Sequence, residues 1–503
     1  MADRFRKVLV ANRGEIAVRC LRGIREEGLQ SVAVFSDADR SALFVRFADE
    51  AIHIGASPSA QSYLRMEAIV AAAARTGATA VHPGYGFLSE NAGFAAACEA
   101  AGLVFIGPTS DTIRLMGNKL EARAIAERAG VPIIPGSPGP VESLDDARAW
   151  GARIGYPIMI KAASGGGGKG MRVVHGSEDL ARALELTRGE AQNAFADATI
   201  YMESYIEQPR HIEIQIMGDA HGNVVHLGER ECTLQRRHQK VIEEAPSMWM
   251  TPERRRAMGE AAVRLAKAVG YRSAGTVEFV AAPSGQFYFL EMNTRLQVEH
   301  PVTELVYGVD LVREQLRVAA GEPLSWKQED LVPKGWAIEC RIYAEDPYNR
   351  FLPSLGTVTS LRLASGPGIR NDVGIHLGSE VSRYYDPLLG KLIAFGKDRE
   401  EARRRMFRGL RETLIEGVRT NISFHRWLLN REEFIRGDLD TGFIERTFHG
   451  VERREDPERL RAALVAAVIT TFEENHRFSR IQDGQGRGSN WRLLGRPGKS
   501  EEP

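Results

Sequence analysis

The stretch Glu291-Met-Asn-Thr-Arg-Leu-Gln-Val-Glu-His-Pro301 sets two carboxylates, a carboxamide, a guanidinium and a glutamine in one short run, close behind a strand-like segment carrying Glu278. A carboxylate and an amide oxygen at i and i+2 on a strand share a face, so Glu291 and Asn293 are placed to ligate one small hard cation such as Mg²⁺ or Mn²⁺. Thr276–Val280 and Phe287–Glu291 have strand composition, and Pro283-Ser-Gly-Gln286 between them has turn composition. With Ser284 and Gly285 as the two central loop residues, Glu278 falls directly opposite Glu291. Their Cβ atoms would then lie about 5 Å apart, where like charges repel unless a cation offsets them. The competing reading of the pair alone is two solvated carboxylates on an exposed sheet face. Asn293 and Arg295 tip the balance toward a metal and anion site.

Upstream, Pro157-Ile-Met-Ile-Lys161 leads into Ser164-Gly-Gly-Gly-Gly-Lys-Gly170. Consecutive glycines carry a large backbone entropy cost, so packing does not explain them. Successive exposed N–H groups make a nest for anionic oxygens, which favours a phosphate-covering flap over a flexible surface hairpin. Lys169 is followed by Gly170 and not by Ser or Thr, so the Walker pattern is not met. Farther along, Glu229–Lys240 is dense in ionisable residues without helical periodicity. It is either a solvated face or a catalytic rim. His211 and His238 lack companions at zinc-ligand spacing and are expected to hydrogen-bond.

At the N-terminus, apolar strands (Lys7–Ala11, Ser31–Phe35, Ala80–His82) alternate with amphipathic helices (Ile16–Glu27, Tyr63–Arg75), which predicts a parallel sheet wrapped by helices. Asn12-Arg-Gly-Glu-Ile16 occupies the first strand-to-helix turn and carries only Gly14, so the dinucleotide fingerprint fails. His82–Asn91 is a second Gly-rich turn, equally a capped helix start or a ligand contact. Prolines 132, 135, 138 and 140 mark a hinge-like linker before a small α+β unit over about 141–205. Beyond Pro333 the chain becomes β-rich, with a closing arginine-rich helix over Arg399–Leu414.

Length bounds the rest. At 503 residues the chain is too long for one core and suggests roughly three domains. Lys and Arg total 66, as do Asp and Glu, so no global field recruits nucleic acid or a membrane surface. The four cysteines form no C-x-x-C, which disfavours zinc and disulfide frameworks and fits a reducing compartment. With no leader-like start and no long apolar run, the expected location is cytoplasmic.

Val8–Ile16, Ser164–Arg172, Gln235–Lys240, Glu291–Pro301 and Glu339-Cys-Arg341 together resemble biotin carboxylase, the ATP-grasp component of biotin-dependent carboxylases, over about residues 4–447. The resemblance implies a multidomain α/β and α+β fold. An N-terminal parallel-sheet domain would span 1–118, a central ATP-grasp domain with a mobile Gly-rich lid 119–330, and a C-terminal β-rich α+β domain 335–447, followed by a tail over 448–503. It implies that ATP and bicarbonate give carboxyphosphate and ADP, and that the carboxyl group then passes to N1 of biotin.

By the same likeness, Glu278, Glu291 and Asn293 hold the divalent metals, two ions being expected. Lys119, Lys161, His211 and His238 contact the nucleotide. Glu203, Ser204, Tyr205 and Ile206 form the adenine hinge, and Gly165, Gly166, Gly167 and Gly168 form the lid that excludes water from ATP. Lys240, Arg295, Gln297 and the Val298 backbone match the bicarbonate pocket, Glu299 the base that deprotonates bicarbonate, and Arg341 the group that stabilises the biotin enolate oxygen.

Biotin acceptor domains carry Ala-Met-Lys-Met or a close variant, and no Met-Lys dipeptide occurs here. The expected partners are therefore a separate biotin carboxyl carrier protein and a carboxyltransferase subunit that selects the final acceptor. A homodimer is also expected, with the Arg19–Arg25 helix as a candidate contact. The tail either docks a partner subunit or is a loose end. A different ATP-grasp ligase would share the metal hairpin and glycine loop but not Arg295–His300 and Arg341. A non-catalytic relic would have lost a ligand or the base.

Overall fold

A computed structural model describes residues 5–163, 170–195, 197–450, 461–462 and 464–473. Contacts divide the chain into two units, Met1–His449 and Gly450–Pro503.

The first unit begins with a five-stranded parallel sheet in the spatial order Glu50–Gly55, Gln30–Ser36, Lys7–Val10, Ala80–His82, Val104–Phe105. Val8, Leu9, Val10, Val32, Ala33 and Val34 are fully buried, as strands covered on both faces must be. Glu50–Gly55 is an edge strand that alternation did not single out, because its residues are largely exposed. Asn91 caps the helix Ala92–Ala100 by accepting from the Phe94 N–H at 2.9 Å.

A small antiparallel sheet (Met171–Val174, Ile158–Ala162, Ile200–Ser204) packs against the helices Leu144–Ile154 and Leu180–Phe195 around Ile158, Ile160, Leu180 and Met202. The loop glycines Gly165, Gly166, Gly167 and Gly168, expected to form the lid, lie outside the described residues.

The largest element is one antiparallel sheet of eight strands in the order Phe287–Asn293, Ser273–Ala281, Arg210–Gly218, Val224–Arg236, Gln239–Ala245, Trp336–Tyr343, Leu388–Gly396, Ile369–Val373. It runs without a break across the Pro333 composition change. The helix Pro252–Ala268 covers one end through Met258, Ala262 and Leu265, and the helix Arg399–Glu412 covers the other through Ala402, Met406 and Leu410.

The charged run Glu229–Lys240 is exposed only at Arg237, His238 and Gln239, and its Gln235, His238, Gln239 and Lys240 line the central cavity, which favours the rim reading over a solvated face. The run is the end of a long strand and the start of the next, turning at Arg237 and His238, which both have positive φ, and Arg230, Glu229 and Glu231 on it are buried. The metal hairpin is closed not by a two-residue loop but by Pro283, Ser284 and Gly285, with the Ala282 N–H donating to the Gln286 carbonyl and Gly285 at φ 94°. A bulge at Leu290 then compensates: Phe279 pairs Phe289, but Glu278 pairs Glu291. The two one-residue departures cancel, so the carboxylates face each other as the simple register predicts.

Candidate functional site

A cavity of about 960 Å³ opens where the three sheets meet. Lys119, Lys161, Tyr205, His211 and His238 line one side, and Glu278, Glu291 and Asn293 the floor. Lys240, Arg295, Gln297, Val298 and Arg341 line the adjoining side.

The residues expected to ligate a metal come from paired strands, which hold them rigidly. Glu278 and Glu291 are cross-strand partners, and Thr276 pairs Asn293 two residues along. Burial raises the Glu291 carboxyl, Lys119 opposes, and the facing Glu278 raises it again. Two carboxylates and an amide oxygen make a hard donor set with excess negative charge, which suits Mg²⁺ or Mn²⁺. Glu278 is itself strongly held in its anionic form: burial works against this, but Lys240 at 2.8 Å and the adjacent His211 outweigh it.

Lys240 is the hub. Its Nζ donates to Glu213 at 2.6 Å, Glu278 at 2.8 Å and Glu299 at 2.7 Å. Burial alone would discharge it, yet the three carboxylates push its pKa well above the usual lysine value. Glu299 sits between two cations, with Lys240 on Oε1 and the Arg341 Nη2 on Oε2 at 2.9 Å. Burial would raise this carboxyl, but Lys240, Arg341 and Arg230 hold it well below its usual range. Arg341 is completed by Glu243, which accepts from its Nε at 2.5 Å. Arg230, wholly buried, braces Glu213 and also donates to Gln215, Thr276 and Thr303.

Arg295 is oriented from several directions. Its Nε donates to Glu90 at 2.7 Å, one Nη to Gln297 Oε1 at 2.7 Å and the other to Asn293 Oδ1 at 3.0 Å. Glu90 belongs to the Gly-rich turn His82–Asn91. That turn is thus both a helix cap and a contact to the site.

Among the residues expected to contact nucleotide, Lys161 pairs with Glu203, whose other oxygen lies 3.6 Å from Arg123. Glu203 is therefore turned into an ion pair, while Tyr205, flanked by Ser204 and Ile206, lines the cavity. Lys119 reaches toward Glu291 at 3.7 Å. His211 Nδ1 lies 3.0 Å from the Gln235 amide nitrogen, which only donates, so the ring proton sits on Nε2, 3.0 Å from Glu278. His238 is exposed at the hairpin turn on the cavity rim.

Sequence reasoning missed Glu90, Glu213, Arg230, Glu243 and Gln235. Each lies far in sequence from the residue it supports; Glu90, Arg230 and Gln235 fall in segments the sequence marked without fixing the residue, Glu213 is the polar member of an alternating strand, and Glu243 shows no signal. Within the chain, Arg19 is buried against Glu304 at 2.8 Å and Asp310 at 2.6 Å.

Residues 4–113 match the family described as biotin carboxylase, N-terminal domain, and residues 339–446 the biotin carboxylase C-terminal domain. Between them, residues 118–327 match the ATP-binding domain of the carbamoyl-phosphate synthase L chain. A biotin carboxylase of Haemophilus influenzae is 53% identical over 441 residues, covering 88% of this chain and 98% of that protein. The chain belongs to the biotin carboxylase family.

A pyruvate carboxylase subunit from Methanothermobacter thermautotrophicus is 49% identical over 490 residues, covering 94% of this chain and all of that one. Among solved structures, the biotin carboxylase domain dimer of the Hydrogenobacter thermophilus 2-oxoglutarate carboxylase, in complex with MgADP, ADP and bicarbonate, superposes with a TM-score of 0.86 at 47% identity. It covers 89% of this chain and 98% of that one. The nearness of these biotin carboxylases agrees with the order of sheets found here: parallel sheet, ATP-grasp strands, then C-terminal strands.

Proposed function

We propose that this chain carboxylates biotin carried on a separate protein, consuming ATP and bicarbonate through carboxyphosphate and releasing ADP and phosphate. The observation that carries the reading is Glu299 wedged between Lys240 and Arg341, in the same cavity as the facing carboxylates Glu278 and Glu291. Glu278, Glu291 and Asn293 would hold Mg²⁺ or Mn²⁺, which would supply positive charge to offset the nucleotide phosphates. Lys119 and Lys161 bind the phosphates as point charges, Tyr205 and the backbone around it receive the adenine, and His211 and His238 add polar contacts.

Arg295, Gln297, Lys240 and the Val298 backbone seat bicarbonate beside Glu299. A carboxylate held so far into its anionic form is a weak base. Arrival of anionic bicarbonate and phosphates draws Lys240 and Arg341 toward the substrates, which raises Glu299 until it accepts the bicarbonate proton. Lys240 and Arg295 then stabilise charge on the reacting oxygens, and Arg341 the enolate-like oxygen of biotin.

ATP cleavage with and without bicarbonate, with free biotin as acceptor, tests the reading. ADP release that needs bicarbonate, accompanied by carboxybiotin, is expected; ADP release indifferent to bicarbonate overturns it.

A biotin carrier and a carboxyltransferase as partners are supported by the likeness to a pyruvate carboxylase subunit. No helix among the described residues is long and apolar enough to cross a membrane. A cytoplasmic location is supported by four unpaired, buried cysteines. A homodimer is supported by the dimeric Hydrogenobacter relative and is tested by sedimentation. In the second unit, residues 461–473 are helical where described, with Leu464, Val465, Val468 and Ile469 exposed. This apolar stripe supports partner docking by the tail. Unchanged holoenzyme assembly after deletion beyond Gly450 would refute that role.

A further inference from the structure

Behind the segment Arg295–Glu299 lies a buried lysine that the reaction above does not use. Lys391, on the strand Leu388–Gly396, is 1% exposed, and its Nζ donates to the Val298 carbonyl at 2.6 Å. Its counter-charges come from distant parts of the chain. Glu15 Oε1, in the first strand-to-helix turn, lies 3.5 Å away, and Asp372 Oδ2 lies 4.0 Å away. That turn is pressed so closely on the C-terminal strands that a Cβ on Gly374 would sit 2.5 Å from the Glu15 nitrogen. Burial lowers the Lys391 pKa, but Glu15, Glu339 and Asp372 more than restore it, so the ammonium stays charged.

Burying an ammonium is costly, and an apolar side chain would fill the same space without that cost. The charge has a specific target. Val298 lines the cavity, and a peptide carbonyl at the wall of an anion pocket repels the anion. An ammonium hydrogen-bonded to that oxygen neutralises it and fixes the peptide plane, and because the peptide is trans, the Glu299 N–H is turned the opposite way. The neighbouring carbonyl is held similarly: His300 Nδ1 lies 2.8 Å from the Gln297 oxygen, and since a carbonyl only accepts, Nδ1 carries the proton. Two successive carbonyls of the segment are thus pinned from behind by buried side chains.

We propose that Lys391 is a positioning residue for bicarbonate, whose ammonium locks the Val298 peptide into an anion-accepting orientation. This rests on the assignment of Arg295, Gln297 and Val298 to bicarbonate. It differs from a purely structural role, in which Lys391 serves only to neutralise Glu15 and Asp372.

The test is Lys391→Met in the full chain, with ATP cleavage measured against bicarbonate at saturating ATP and against ATP at saturating bicarbonate. A hydrogen bond to a charged group is worth enough to move an affinity about tenfold. KM for bicarbonate should therefore rise about tenfold while KM for ATP stays within twofold. Asp372 keeps Arg370, 2.8 Å from its Oδ2, but Glu15 is left without its cation, so the variant is also made with Glu15→Gln. The double variant should recover melting temperature and keep the raised KM for bicarbonate. An unchanged KM for bicarbonate in whichever variant folds, a parallel rise in KM for ATP, or restoration of bicarbonate affinity in the double variant would each overturn the proposal. If the parent chain cleaves ATP without needing bicarbonate, the functional reading itself falls and Lys391's role with it.

Discussion

Replacing Arg341 by Met removes the guanidinium and keeps most of its volume. Two buried carboxylates lose a partner, Glu243 at 2.5 Å and Glu299 at 2.9 Å. Their situations differ. Glu299 retains Lys240 at 2.7 Å and the field of Arg230, so it stays anionic and able to act on bicarbonate. Glu243 is already raised to about 7, chiefly by burial, and without Arg341 it is left as an uncompensated buried acid. Breaking one side of a buried ion pair costs about 3–5 kcal/mol of stability. Loss of one donor to a developing oxyanion costs about 10²–10³ in rate. We therefore expect carboxybiotin formation to fall by about 10²–10³ while bicarbonate-dependent ADP release falls less than about tenfold. Adding Glu243→Gln should return most of the lost stability, measured by denaturant melts, and none of the lost transfer. Equal loss of both activities, or recovery of carboxybiotin formation in the double variant, would refute the assignment of Arg341 to biotin.

Lys161→Met should raise KM for ATP about tenfold with KM for bicarbonate unchanged, since one charge-assisted contact is lost on the nucleotide side only; steady-state kinetics in both substrates decides. Glu278→Gln should raise the Mg²⁺ concentration needed for half-maximal ADP release by at least about tenfold, and chelation should abolish release from the parent chain; an unchanged Mg²⁺ requirement would remove Glu278 from the metal site. Glu15 is raised from 4.5 to about 7, first by burial and against the pull of Lys391. Because its folded pKa is the higher one, its contribution to stability is full below about pH 4.5 and is lost as pH rises through about 7, an effect of roughly 3 kcal/mol. Glu15→Gln should therefore flatten urea-melt stability across that window, and curves that stay parallel to the parent's would count against it.

The metal hairpin was legible because a carboxylate and an amide at i and i+2 on a strand have no choice of face, and because Glu278 and Glu291 lie close in sequence. Even there, two features were invisible, the three-residue loop and the bulge at Leu290, and their cancellation preserved the pairing. The parallel N-terminal sheet followed from continuous apolar strands, while its edge strand Glu50–Gly55 did not, since exposed residues leave no alternation to read. The run Glu229–Lys240 left two readings open because charge density normally marks solvent. Several of its charges are instead compensated from other elements, as Arg230 is by Glu213 and Glu229 by Arg255.

What the sequence alone determined was the inventory of chemistry, namely which side chains are candidates to ligate, bind anions and accept protons, because those properties belong to residue types and short spacings. What only the tertiary structure decided was their state and support. Glu299 is held anionic by Lys240 and Arg341, Arg295 is aimed by Glu90, and the Val298 carbonyl is held by Lys391. These pairings join positions far apart along the chain, and the strength of a charge depends on burial and on neighbours that only folding brings within a few ångströms.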